Sequence, residues 1–169
     1  MKNLIVILFL LLGTCAQAQM KYFEVDPKYS SKITPKGINM PPPANREVNS
    51  SAGWSIEGEK RYKKWTVSIL QDIFGKFPVS DDRLRLLNGV SIVIGLDERL
   101  RVTYYEYRVE KEVFNQFVEN EELFYRLGKV FLAEDMSRYY RKHFPELYYF
   151  SLHNLPLGLV YRVWWNSPE

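Results

Sequence analysis

Few side chains in this sequence could do chemistry, and their spacing excludes more than it suggests. There is one cysteine, Cys15, and there are two histidines, His143 and His153. No HExxH pair is present for zinc and no glycine-rich loop for a phosphate. The stretch Gly53-Trp54-Ser55-Ile56-Glu57-Gly58 has one residue too many for the Gly-x-Ser-x-Gly nucleophile elbow. His143 stands two residues before Pro145, at the end of a helical pattern where a positive imidazole is favoured, so its reading is structural. His153 falls in an expected loop. Carboxylates remain, because a glycosidase can work with two of them alone. Glu106, between Tyr105 and Tyr107, is the acid that a hydrolase of envelope or dietary polysaccharide would use first. None of these residues implies a metal or a cofactor, and no catalytic residue is assigned.

Binding is the stronger possibility, and it rests on residues 90–109. Val90, Ile92, Ile94 and Leu96 alternate before Asp97-Glu98-Arg99, and Leu100, Val102 and Tyr104 alternate after it, which predicts a β-hairpin. A two-residue loop would set Leu96 against Arg99 and mix core with solvent. A three-residue loop instead pairs Leu96 with Leu100, Ile94 with Val102 and Ile92 with Tyr104. On that register the second face carries Arg101, Thr103, Tyr105 and Tyr107, an aromatic and basic surface suited to a sugar or a peptide. The competing reading is that helices cover those tyrosines. Trp164, in the Trp164-Trp165 pair, is a further candidate contact.

Several elements must position these groups. Tyr62, Trp65, Ile69 and Ile73 recur at helical spacing between Ile56 and Phe74, with Gly75 placed to end the helix in a left-handed conformation. Lys60, Arg61, Lys63 and Lys64 read as its solvated side. Arg83-Leu84-Arg85-Leu86 alternates and ends in Asn88-Gly89, yet Ser80-Asp81-Asp82 equally starts a helix. Val113, Phe117, Phe124, Leu127 and Phe131 form a stripe interrupted by Asn120-Glu121-Glu122, as two short helices or one kinked helix. A further helix is expected from Glu134 to His143, with Met136, Tyr139, Tyr140 and Phe144 inward and Pro145 beyond it. Strands are expected at Leu147–Leu152 and Leu159–Trp165, joined by Asn154-Leu155-Pro156-Leu157-Gly158.

The first twenty residues read as an export signal. Lys2 is followed by the apolar run Leu4 to Leu12, and Ala16-Gln17-Ala18 supplies the small residues needed for cleavage before Gln19. The alternative is the lipoprotein-like Leu12-Gly13-Thr14-Cys15, in which Cys15 would be acylated, although Thr14 stands where Gly, Ala or Ser is usual. The apolar run is shorter than the roughly 20 residues of a spanning helix, so no integral membrane span is expected. Residues 19–169 would contain no cysteine and must be held by packing alone, which a chain of this size can do. The 169 residues carry a net charge of +3 with both signs interspersed, which implies neither nucleic acid nor an anionic membrane as partner. Residues 19–53, with Pro27, Pro35, Gly37, Pro41-Pro42-Pro43 and Ser50-Ser51, read as a flexible segment. Within it Tyr22-Phe23-Glu24-Val25 could add as an edge strand to the domain or to a partner.

The expected organisation is a cleavable signal at 1–18, the segment 19–53 and one globular domain at 54–169. Helix, hairpin, helices and strands in that order give an α+β fold, an antiparallel sheet with helices packed on one face. The run Gly89-Val90-Ser91-Ile92-Val93-Ile94-Gly95-Leu96-Asp97 with Leu100-Arg101-Val102 resembles the opening of the TonB C-terminal domain, and Gly158-Leu159-Val160-Tyr161-Arg162-Val163 resembles its closing strand. That resemblance implies a small periplasmic α+β fold and a protein-binding edge at Leu159 to Trp165. The expected function is an exported, non-catalytic binding or interaction domain whose partner is a protein or glycan of the bacterial cell envelope, in the periplasm or outside the cell.

Overall fold

The computed structural model describes residues 20–38, 56–139 and 152–159. Its strands are β1 Phe23–Val25, β2 Lys32–Pro35, β3 Val90–Leu96, β4 Val102–Val109 and β5 Leu152–Pro156. They form one antiparallel sheet in the order β1-β2-β4-β3-β5. Rich in β-branched and aromatic residues, β3 and β4 make the central hairpin. Its loop is three residues long but lies one position later than expected. The Leu100 N–H donates to the Asp97 carbonyl and the Asp97 N–H to the Arg101 carbonyl, both at 3.0 Å, and Leu100 takes φ 61°, the left-handed residue such a loop requires. Asp97 Oδ1 fixes the turn by accepting from the N–H groups of Arg99 and Arg101 at 2.9 and 2.8 Å.

The pairing differs from the expected register for a physical reason. Leu96 pairs with Val102 and Gly95 with Tyr104, which leaves Thr103 as an extra residue in a β-bulge. One extra residue reverses which side each later side chain faces. Ile94 therefore pairs with Tyr105 and Ile92 with Tyr107, and both tyrosines join the core side. Phe23, Ile33 and Leu155 share that side and are buried there.

The described helices that pack on the sheet lie on this face, so the α+β architecture holds. Helix α1, Ile56–Lys76, buries Trp65, Ile69, Leu70, Ile73 and Phe74. Gly75 is inside it rather than a left-handed stop; the helix runs on to Lys76 and ends ahead of Pro78. Helix α2, Asp81–Leu84, leads into a 3₁₀ turn at Arg85–Leu87, so the alternating segment is helical. A 3₁₀ turn at Lys111–Val113 opens α3, Phe114–Glu119, and α4 follows as Glu121–Leu132. Phe117 and Phe124 stack at 4.3 Å, and the Tyr107 hydroxyl donates to the Phe124 carbonyl at 2.7 Å, which fastens α4 to β4. Gly128 lets the two surfaces meet, because a Cβ there would lie 2.3 Å from the Tyr105 ring.

The domain expected to start at residue 54 already includes residues 20–38. Phe23 is buried against Tyr107, Phe117 and Tyr125, and Ile33 pairs with Tyr107, so residues 20–38 belong to the domain and not to a tether. An apolar pair, Phe23 and Ile33, outweighs the turn-forming residues around it. Near the other end, β5 occupies the stretch read as a loop; of the strand expected at Leu159–Trp165 only Leu159 is described, helical together with Gly158, and residues 160–165 lie outside the described residues. Met136 and Tyr139 are buried as expected, in a stretch helical from Ser137 to Tyr139.

Candidate functional site

The opposite face of the sheet carries no helix among the described residues. Its centre is a charged cluster built by alternation along β4, where Tyr104, Glu106 and Arg108 point the same way, with Lys32 beside them on β2. Glu106 is 3% exposed and both its oxygens are engaged. Oε1 accepts from Arg108 Nε at 2.7 Å and lies 2.6 Å from its Nη2. Oε2 lies 3.1 Å from Lys32 Nζ and accepts from the Tyr104 hydroxyl. Burial, together with the hydrogen bond to Glu106 and its charge, raises the Tyr104 pKa well above that of a free phenol. Asp26 completes the cluster 3.7 Å from Lys32 Nζ, its carboxyl held below the usual range first by the Lys28 N–H. Two cations offset two carboxylates, so the cluster is close to neutral.

Beside it lies a shallow depression of about 250 Å³ lined by Ser31, Gly89, Ser91, Arg108, Val109 and Glu110. Gly89 takes φ +79°, and a Cβ there would come within 3.0 Å of Glu110 Oε2 and of Val113. Only glycine lets the end of β4 close over this point. The half-exposed guanidinium of Arg108, two serine hydroxyls and a carboxylate can hydrogen-bond a small polar group. Glu106 is less suited to catalysis, since a glycosidase acid must aim a free oxygen at its substrate.

The residues picked from the sequence do not converge. Arg101 and Thr103 are exposed at the loop end of β4, but Tyr105 and Tyr107 are fully buried beneath α4. The aromatic and basic surface expected from these four residues is therefore corrected: the Thr103 bulge turns both rings inward. Burial raises both phenol pKa values well above normal. Cys15, Ala18, Gln19, His143 and Trp164 lie outside the described residues. His153 is a core residue of β5, its ring 4.6 Å from that of Trp65 and 6.1 Å from that of Tyr62. Lys60, Arg61, Lys63 and Lys64 line the exposed side of α1 as expected. Tyr104, Lys32 and Arg108 were missed, although the spacing Tyr104-x-Glu106-x-Arg108 puts a phenol, an acid and a base on one face of any strand.

The β5 edge is closed to a further strand at two points. Asn154 turns its carbonyl outward, where the Tyr62 hydroxyl donates to it at 3.2 Å, and Pro156 has no N–H. Burial pushes the Tyr62 hydroxyl up to about 12. Among the described residues no group of three or more His, Cys, Asp or Glu could hold a metal ion, and no helix is long and apolar enough to cross a membrane. No family model matches the chain, and neither a curated protein nor a solved structure matches it.

Proposed function

We propose that this chain is an exported, non-catalytic binding or interaction domain of the bacterial cell envelope, and that it uses the helix-free face of the sheet. One observation carries this reading: that face presents exposed or half-exposed polar groups, from Thr34 and Lys32 through Arg108 and Ser91 to Asn154, around a neutral charge cluster. Export is supported by the residue pattern from Met1 to Gln19. The hydrolase alternative gains nothing from Glu106, whose oxygens are bound by Arg108, Lys32 and Tyr104. If Cys15 instead carried a lipid, residues 16–19 would be the whole link to the fold, at most roughly 14 Å when extended.

The test is cosedimentation of the purified protein with isolated peptidoglycan sacculi, alongside a binding titration against soluble periplasmic protein. The wild type is compared with Ser91→Arg and Thr34→Arg, which change the open face without touching the core. Saturable binding to one of the two, lost in both variants at unchanged melting temperature, is the expected result. Binding that survives both variants moves the site elsewhere, and no binding to either class removes the reading.

A further inference from the structure

We propose that the depression on the open face binds the two charged ends of a short peptide, its carboxylate on Arg108 and its ammonium on Glu110. The assignment rests on the binding function proposed above and names a ligand class for it. Glu106 Oε1 occupies only one edge of the Arg108 guanidinium, through Nε at 2.7 Å and Nη2 at 2.6 Å. A guanidinium holds five N–H groups in a rigid fork, so Nη1 and the second N–H of Nη2 remain as a parallel pair for another carboxylate. The Arg108 side chain is 46% exposed, and the residue lines the depression. Its fork is thus anchored by Glu106 and open to a ligand.

Glu110 supplies the opposite charge. Its backbone is extended, at φ −64° and ψ 146°, and its N–H donates to the Gly89 carbonyl at 2.9 Å, so the alternation of β4 carries it onto the same face as Arg108. Its carboxylate lies over Gly89, and it forms no ion pair among the described residues. Two residues of strand separate the Cα atoms of Arg108 and Glu110 by about 7 Å, roughly the length of an extended dipeptide. Ser91, which pairs with Arg108 from β3, and Ser31 add hydroxyls that can bond the peptide group between the two ends. Charge decides between ligands. Asp26 and Glu106 already offset Lys32 and Arg108, so a plain anion would find no excess positive charge and would meet Glu110. A plain cation would leave the guanidinium edge unused, whereas a zwitterion satisfies both groups.

The experiment titrates the isotope-labelled protein with dialanine, N-acetyl-dialanine, dialanine amide and N-acetylglucosamine, and reads the amide resonances of Ser31, Gly89, Ser91 and Glu110. Dialanine should shift these resonances, and blocking either of its ends should weaken binding about 5-fold, the upper limit for a charge pair that water still reaches. Glu110→Gln should weaken dialanine by the same factor and leave N-acetyl-dialanine unchanged. Arg108→Lys, which keeps the charge but loses the fork, should weaken both of these and leave dialanine amide unchanged. Equal binding of the three peptides, binding of none, or binding of N-acetylglucosamine alone overturns the inference. None of these outcomes touches the open-face reading, because Thr34→Arg lies outside the depression and tests that reading by itself.

Discussion

Gly128→Ala tests the close approach of α4 to the sheet. The added Cβ would lie 2.3 Å from Cε2 and Cζ of Tyr105 and 2.7 Å from its hydroxyl oxygen. Tyr105 cannot swing away, because its ring is fully buried between Gly128 and the edge of Tyr107, whose centroid is 5.8 Å away. The helix must therefore lift from β4, at a cost near the top of the roughly 1–3 kcal/mol of overpacking. Alanine in a helix interior gains about 1 kcal/mol over glycine, so a net loss of about 2 kcal/mol is expected. In a Tyr105→Leu background the obstacle is gone and the same substitution should stabilise by about 1 kcal/mol. The coupling between the two sites is then about 3 kcal/mol, large but within the range for residues in contact. Urea denaturation of the four proteins, with m-values compared, measures each corner of this cycle. If Gly128→Ala alone raises stability, or the coupling falls below about 0.5 kcal/mol, the reasoning about Tyr105 and Gly128 is wrong.

Other perturbations probe different groups. The buried Tyr105 hydroxyl has no hydrogen-bond partner among the described residues, so Tyr105→Phe should stabilise by about 1 kcal/mol, seen as a higher melting temperature. Glu106→Gln leaves Arg108 without its carboxylate and Lys32 with Asp26 alone; since both cations reach solvent, a loss of about 1–3 kcal/mol in chemical denaturation is expected, below that of a fully buried pair. Tyr62, Tyr104, Tyr105, Tyr107 and Tyr139 all have folded pKa values raised above the unfolded value near 10. Their stabilising contribution is complete below pH ~10 and is lost as pH rises through the folded values, because the unfolded chain then binds fewer protons. Tyrosinate absorbance should therefore show these five tyrosines ionising only together with loss of near-ultraviolet circular dichroism. Smooth titration of all of them near pH 10 in a still-folded protein would contradict the burial.

Much of the fold was legible because its strongest signals are local. The alternation of β3 and the helical stripes of α1 and α4 are each set by residues within one element, and the structure keeps them. The bulge at Thr103 was not legible: period-two patterns on either side of one extra residue both look continuous, and Val102 and Tyr105 both face the core although they differ in parity. Residues 20–38 misled because Pro27, Pro35 and Gly37 are turn formers, whereas Phe23 and Ile33 find their partners only when β4 is in place. Gly75 misled for the opposite reason, since the burial of Ile73 and Phe74 holds a helix that glycine alone would weaken. In β5 the alternation of His153 and Leu155 toward the core was hidden by Asn154 and Pro156, the residues that suit an outer edge. The candidate site fared worse than the fold, because the tyrosine that faces outward, Tyr104, and the two that face inward differ only by that one inserted residue.

The strand order also sets a timetable. A chain delivered N-terminus first, from a ribosome or through a translocon, brings out β1 and β2 long before β4, yet Ile33 of β2 pairs with Tyr107. Until then the exposed backbone of two short strands has only each other, and a lone hairpin is marginal in water. The central β3–β4 hairpin closes over a three-residue loop and needs no distant partner, so it is the natural nucleus. The earliest residues to emerge are thus among the last to find their place, an interval in which a chaperone could hold Phe23 and Ile33.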